Sequence, residues 1–214
     1  MVLEKSDKVS PIIKQYIGDE IFPAYEQHAG HGIPHIEYVI RRSMNFADSV
    51  PGVNYDMVYV VAAYHDLGRK IDNEHHEIES AKMFLNDEFM RSVFSDGERK
   101  IIAEAIEDHR ASSKHEPRSI YGRIVSSADR STSVTEILSR IYDYNRALHP
   151  DYSEDETIAD CCRALRVKYG ADGYARTKIF FDDPEYEEFM GEIERITSDP
   201  SIYKKLQLEF NAKK

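Results

Sequence analysis

The apolar run Val58-Tyr59-Val60-Val61-Ala62-Ala63-Tyr64 ends on His65-Asp66. A run of that kind belongs in a core, and a core does not accept an imidazole beside a carboxylate unless both find partners. A metal ion satisfies both. Further residues able to bind one lie on either side, His35 upstream and His76, His109 and Asp129 downstream, in the order His, His-Asp, His, His, Asp. Imidazole and carboxylate donors without thiolate suit a divalent metal: Mn²⁺, Fe²⁺, Ni²⁺, Co²⁺, Zn²⁺ or, less well with so many nitrogens, Mg²⁺. Three or four protein ligands leave positions for water, whose pKa a divalent ion lowers from about 15.7 towards ~7. The chemistry that follows is hydrolysis by metal-bound hydroxide. No side-chain nucleophile is then required, consistent with the absence of a Ser-His or Cys-His signature.

This order resembles the HD-domain superfamily of metal-dependent phosphohydrolases. The resemblance rests on His35 within His31-Gly32-Ile33-Pro34-His35-Ile36-Glu37-Tyr38-Val39, on Tyr64-His65-Asp66-Leu67-Gly68-Arg69, and on Ser127-Ala128-Asp129-Arg130. It runs from about His31 to Ile141. It implies that His35, His65, Asp66 and Asp129 hold one divalent metal, and that His76 and His109 match the positions of a second. With two ions, Asp66 could bridge the pair at roughly 3.5 to 4 Å. Where many members carry Lys four residues after the doublet His, this chain has Arg69, then Lys70. A guanidinium can hold two phosphate oxygens in one plane, so Arg69 is expected to bind substrate phosphate. Gly32 stands where related small members often have Asp. The Glu-Asp pair that alarmone hydrolases place after the doublet is replaced by Leu67-Gly68-Arg69-Lys70, which argues against that substrate.

Each ligand has a competing structural role. His109 on an apolar face could be a hydrogen-bonded core residue. His75 competes with His76, which is favoured for its distance to Ser80-Ala81. Asp129 could pair with Arg130 or Arg123, but four residues after Val125 it faces inward, where an unneutralised carboxylate is costly. His31 is read as a loop residue near the cleft, and His28, His115 and His149 as surface residues.

The elements that must position these groups read as helices throughout. Pro11 to about Gln27 repeats apolar residues at helical spacing and is interrupted near Pro23. After a Gly-rich loop, Ala29 to Pro34, a second helix carries Ile36, Val39, Ile40, Met44 and Ala47 on one stripe. The Val50-Pro51-Gly52 turn precedes a buried central helix from about Tyr55 to Asp66, with Gly68 as its stop. His76 begins a helix with Ile78, Ala81, Phe84 and Leu85 inward. Ser95-Asp96-Gly97-Glu98 is a capping box for a helix that carries His109 beside Ile102, Ala105 and Ile106. A long helix is expected from about Arg118 to Arg146, with Asp129 on its apolar stripe. A second capping box, Ser153 to Glu156, opens the helix with Cys161 and Cys162, and two more follow, about Asp183 to Thr197 and Ser201 to Phe210. The expected fold is all-α, an HD-domain-like bundle. Residues 1–150 form the metal-binding domain and 151–214 a C-terminal helical extension packed on the same core, or pairing with another subunit as a homodimer.

The chain has 214 residues, 41% of them hydrophobic, enough to bury roughly 70% of its unfolded surface without a staple. Two adjacent cysteines point to no disulfide, and no stretch approaches the ~20 apolar residues of a membrane span, so a soluble cytoplasmic protein is expected. A net charge of −11 argues against extended nucleic acid. Arg41, Arg42, Arg69, Lys70, Arg110, Lys114, Arg118, Arg123 and Arg130 nonetheless lie near the proposed ligands in sequence, which suits a small phosphorylated substrate, a nucleotide above all. The expected activity is hydrolysis of a phosphate ester or anhydride. The alternatives are a di-iron oxygenase of the same fold and a regulatory module that binds metal or ligand without turnover.

Overall fold

The computed structural model of the chain describes residues 8–25, 32–177 and 179–211, and every regular element among them is helical. None of these helices is long and apolar enough to cross a membrane. The chain divides into two compact units, Met1–Asp129 and Arg130–Lys214. His28, His31 and most of the Gly-rich loop lie outside the described residues.

In the first unit, Pro11 opens α1 (Pro11–Tyr16), which continues as a π-turn, Ile17–Ile21, and a 3-10 turn, Phe22–Tyr25. The change of winding falls around Pro23, which has no amide to give an α-helical bond. Ile13, Ile17, Ile21 and Tyr25, four residues apart, make its buried stripe. After α2 (Ile33–Ala47), Gly52 takes a φ of 72°, and Asn54 caps α3 (Tyr55–Tyr64) by accepting from the Asp56 and Met57 amides. In α3, Val58, Val60, Val61, Ala62 and Ala63 have no exposed surface. Burying each valine contributes about 1.5–3 kcal/mol, which outweighs its weaker helix preference. Around α3 pack α2, α6 (Asp96–Glu107) and α7 (Ile120–Ala128). The 3-10 turn Leu67–Lys70 leads to α4 (His76–Asn86), which packs on that turn and on α6, and the short α5 (Glu88–Val93) follows.

Gly68 is not a left-handed stop. It lies within the 3-10 turn, where an added Cβ would come 2.6 Å from the His76 carbonyl oxygen and 2.6 Å from the Ser80 nitrogen. Its amide donates to Ser80 Oγ at 2.8 Å, so the glycine is required by the close approach of α4. On α4, Ala81 and Phe84 face inward as expected, but Ile78 and Leu85 are exposed, because the contact with the turn and α6 covers a narrower stripe.

The long helix expected from Arg118 to Arg146 is two helices, α7 and α8 (Val134–Leu148). In between, Ser131-Thr132-Ser133 offers hydroxyls that compete for backbone groups, and Ser133 caps α8 by accepting from the Glu136 amide. The first compact unit ends at Asp129, at the end of α7, and α8 belongs to the second. The break around His149 to Tyr152 is a turn inside the second unit, joining α8 to α9 (Glu154–Tyr169). With α10 (Pro184–Ser198) and α11 (Pro200–Asn211), these helices build a core of their own. Ile137, Leu138, Cys161, Leu165, Phe189, Ile193 and Tyr203 contribute to it, and both cysteines are free and buried.

Two glycines test this packing. Gly68→Ala should destabilise the protein by about 1–3 kcal/mol through overpacking. Gly191→Ala, inside α10 with nothing within 4 Å of the added carbon, should stabilise it by about 0.5–1 kcal/mol. Denaturant unfolding of both variants checks the contrast, and equal effects would contradict it.

Candidate metal centre

The residues singled out for metal chemistry all stand at or near helix ends. His35 lies in the first turn of α2, and His76 is the first residue of α4. His65 and Asp66 follow α3, His109 comes just after Asp108 at the end of α6, and Asp129 closes α7. Three helices thus present their C-terminal, partially negative ends at ligand positions, which favours a cation there.

The structure brings all six together. Asp66 is fully buried and divides its carboxylate between two groups. Its Oδ1 lies 3.1 Å from His76 Nε2 and 3.5 Å from His109 Nε2. Its Oδ2 lies 3.6 Å from His65 Nε2 and 3.7 Å from His35 Nε2. Asp129 Oδ1 approaches His35 Nε2 at 3.2 Å and His65 Nε2 at 3.6 Å. The trios His35, His65, Asp66 and Asp66, His76, His109 each have the spacing to hold an ion.

Proton positions follow from the partners of the rings. His65 Nδ1 donates to the Ala62 carbonyl at 2.8 Å, His76 Nδ1 to Asn73 at 3.1 Å and His109 Nδ1 to Ile106 at 2.6 Å. A carbonyl can only accept, so in the neutral rings Nδ1 carries the proton and Nε2 a lone pair. The Nε2 atoms of His76 and His109, both buried, then face each other at 3.2 Å. Two lone pairs cannot bond, and the Asp66 carboxylate stands beside them. A cation between these atoms satisfies every donor, so the residues present fit a divalent metal.

The electrostatics agree. Burial alone would lower the His65 pKa, but the carboxylates of Asp66 and Asp129 outweigh it and raise it to about 9. Burial works against ionisation of Asp129 as well, yet the His35 and His65 imidazoles beside it hold its carboxyl well below the usual range. His109 is pushed down, first by burial and then by the charge on His65, with Asp66 opposing.

Other sequence readings resolve here. His76 faces the site while His75 is exposed, its amide bonded to Asp72. Asp129 meets histidines, and the Arg130 guanidinium donates to the Ala175 and Thr177 carbonyls. Arg69 Nε is 2.7 Å from Asp66 Oδ2, and its Nη1 donates to Asn73 at 3.0 Å. His115 is exposed and His149 stacks on Tyr152. Two supports went unread in the sequence. Arg42 on α2 donates to the Ala128 carbonyl beside Asp129 at 3.2 Å, and buried Asp108 clamps Arg118 through its backbone amide, Nε and Nη2. Asp108 did carry a signal: a carboxylate at a helix C-terminus opposes the dipole and calls for a cation.

In metal-free protein, His65 should titrate near pH 9 and His109 below the ordinary 6.5, as read by NMR of the ring protons. Because the folded pKa of His65 is raised, its contribution to stability is full below about pH 6.5 and lost as pH rises through about 9. His109, held neutral, acts in the opposite sense and only as pH falls below 6.5. A His65 midpoint at or below 6.5 would contradict the described field.

The family model described as the HD domain matches residues 12–133, more than half of the chain. No curated protein and no solved structure matches it. The matched span contains every ligand candidate from His35 to Asp129, and the chain belongs to the HD-domain family, whose members are generally metal-dependent hydrolases.

Proposed function

We propose that this protein is a phosphohydrolase that cleaves a small phosphate ester or anhydride, a nucleotide in the first instance, with one or two divalent ions. The observation that carries this reading is the division of the Asp66 carboxylate, one oxygen towards His76 and His109 and the other towards His35 and His65. His35, His65, Asp66 and Asp129 would hold the first ion, and His76 and His109, sharing Asp66, the second. Bound there, a divalent ion acts as a Lewis acid on a phosphoryl oxygen and lowers the pKa of a coordinated water.

The side chains do the rest. His76 and His109 are 3% and 1% exposed, whereas His35, Arg69 and Asp129 are 17%, 18% and 22% exposed. Substrate therefore enters over His35, Arg69 and Asp129, and the His76 and His109 side stays closed to water. Arg69, held on Asp66 Oδ2, stands at that opening to neutralise phosphate charge. A net charge of −11 disfavours an extended nucleic acid as substrate. The same donor set suits two irons, so an oxygenase is the rival reading, distinguished by bound iron with oxygen uptake.

On a panel of nucleotides and small phosphoesters with Mn²⁺, Co²⁺, Ni²⁺ or Mg²⁺ added, the native chain should release phosphate. Arg69→Ala should lower kcat/KM by about 10- to 100-fold, the worth of a charge-assisted hydrogen bond. Absence of turnover across the panel, or unchanged kinetics in Arg69→Ala, would count against the activity and the Arg69 role respectively.

A further inference from the structure

We propose that the hydroxyl of Tyr25 is a positioning group for the metal ligands His65 and Asp66, acting through the backbone on either side of them. The inference rests on the metal reading above. Tyr25 closes the 3-10 turn at the end of the first helical run and is fully buried. Its hydroxyl donates to the Ala63 carbonyl at 2.9 Å, and the hydroxyl oxygen accepts from the Asp66 amide. One group thus binds the chain before His65 and after it.

The bend it spans is where α3 stops. His65 keeps helical angles, φ −52° and ψ −39°, while Asp66 turns out of the helix at φ −107° and ψ 4°. The Ala63 carbonyl is among the last four of α3, which lack partners from a continuing helix. The Tyr25 hydroxyl gives that carbonyl a donor and the departing Asp66 amide an acceptor. This fixes the direction in which the Asp66 carboxylate leaves the backbone. Since Asp66 must offer one oxygen to each trio, a small rotation of this residue would misplace both.

Tyr64 provides a matched comparison. Its ring is also buried, but its hydroxyl donates to Asp87 Oδ2 at 2.7 Å, where Tyr16 donates at 2.8 Å and Asp87 caps α5. Removing that hydroxyl disturbs the α5 cap and leaves the His65-Asp66 bend alone.

The test compares Tyr25→Phe with Tyr64→Phe, each losing one oxygen atom and keeping its ring. In metal-depleted protein, hydrogen exchange at the Asp66 amide should speed up by about 10-fold in Tyr25→Phe, the worth of one hydrogen bond, and stay near native in Tyr64→Phe. In Zn²⁺ titration against a competing chromophoric chelator, Tyr25→Phe should bind about 10- to 100-fold more weakly than the native chain, as for other outer-shell partners, and Tyr64→Phe as tightly as native. Native-like Zn²⁺ affinity in Tyr25→Phe, or equal weakening in both variants, overturns the positioning role while the metal reading stands. A native chain that takes up no Zn²⁺ overturns the metal reading, and the positioning role with it.

Discussion

An ionised carboxylate without exposed surface costs several kcal/mol in lost hydration unless positive or donor groups surround it. Asp66 is a carboxylate without exposed surface, at the end of the apolar helix α3. Much of the first unit is arranged around it. Apolar α3 carries the carboxylate inward, α2 and α6 bring His35 and His109 to it, and α7 brings Asp129 onto His35 and His65. The approach of α4 over Gly68 brings His76. The neutral imidazoles here offer lone pairs, as the carboxylates do, so side chains alone leave the cluster short of positive charge. In the absence of metal, Arg69 and a protonated His65 supply part of it.

Helix ends are suited to this task for a reason beyond their dipoles. The last carbonyls of a helix have no partner within it. His65 and His109 donate from Nδ1 to the carbonyls three residues behind them, Ala62 and Ile106, and His76 does the same with Asn73 in the turn before α4. One bond therefore satisfies a backbone oxygen, orients the ring and leaves Nε2 facing the centre. Stabilising the fold and preparing the site are here the same interaction.

The doublet was legible because it broke an apolar run, and Asp129 because its spacing from Val125 turned it inward. Helical periodicity also found α1 to α4, and the two capping boxes formed as read. His76 over His75 was legible from its distance to Ser80-Ala81, and the packing of α4 on the 3-10 turn places it at the site. What escaped were features set by long-range approach. The ion pair of Arg69 with Asp66 needed the turn itself. The break after Asp129 was hidden because Ile124, Val125, Ile137 and Leu138 sustain one helical rhythm across it while facing two different cores. At Gly68 the constraint is a neighbour 2.6 Å away, which no local sequence signal for a helix stop contains. Supports such as Arg42 and Tyr25 act on carbonyls, 86 and 38 residues away in sequence, that no side-chain pattern reveals.

The central claim is that Asp66 is shared between two metal-binding groups. Elemental analysis by inductively coupled plasma mass spectrometry of the native chain, Asp66→Ala and His109→Ala tests it most directly. The account predicts about two equivalents of transition metal after reconstitution, nearly all lost in Asp66→Ala and about half lost in His109→Ala. A native chain that remains metal-free in Mn²⁺, Fe²⁺, Ni²⁺ and Co²⁺, or an Asp66→Ala variant that keeps its full complement, would contradict it.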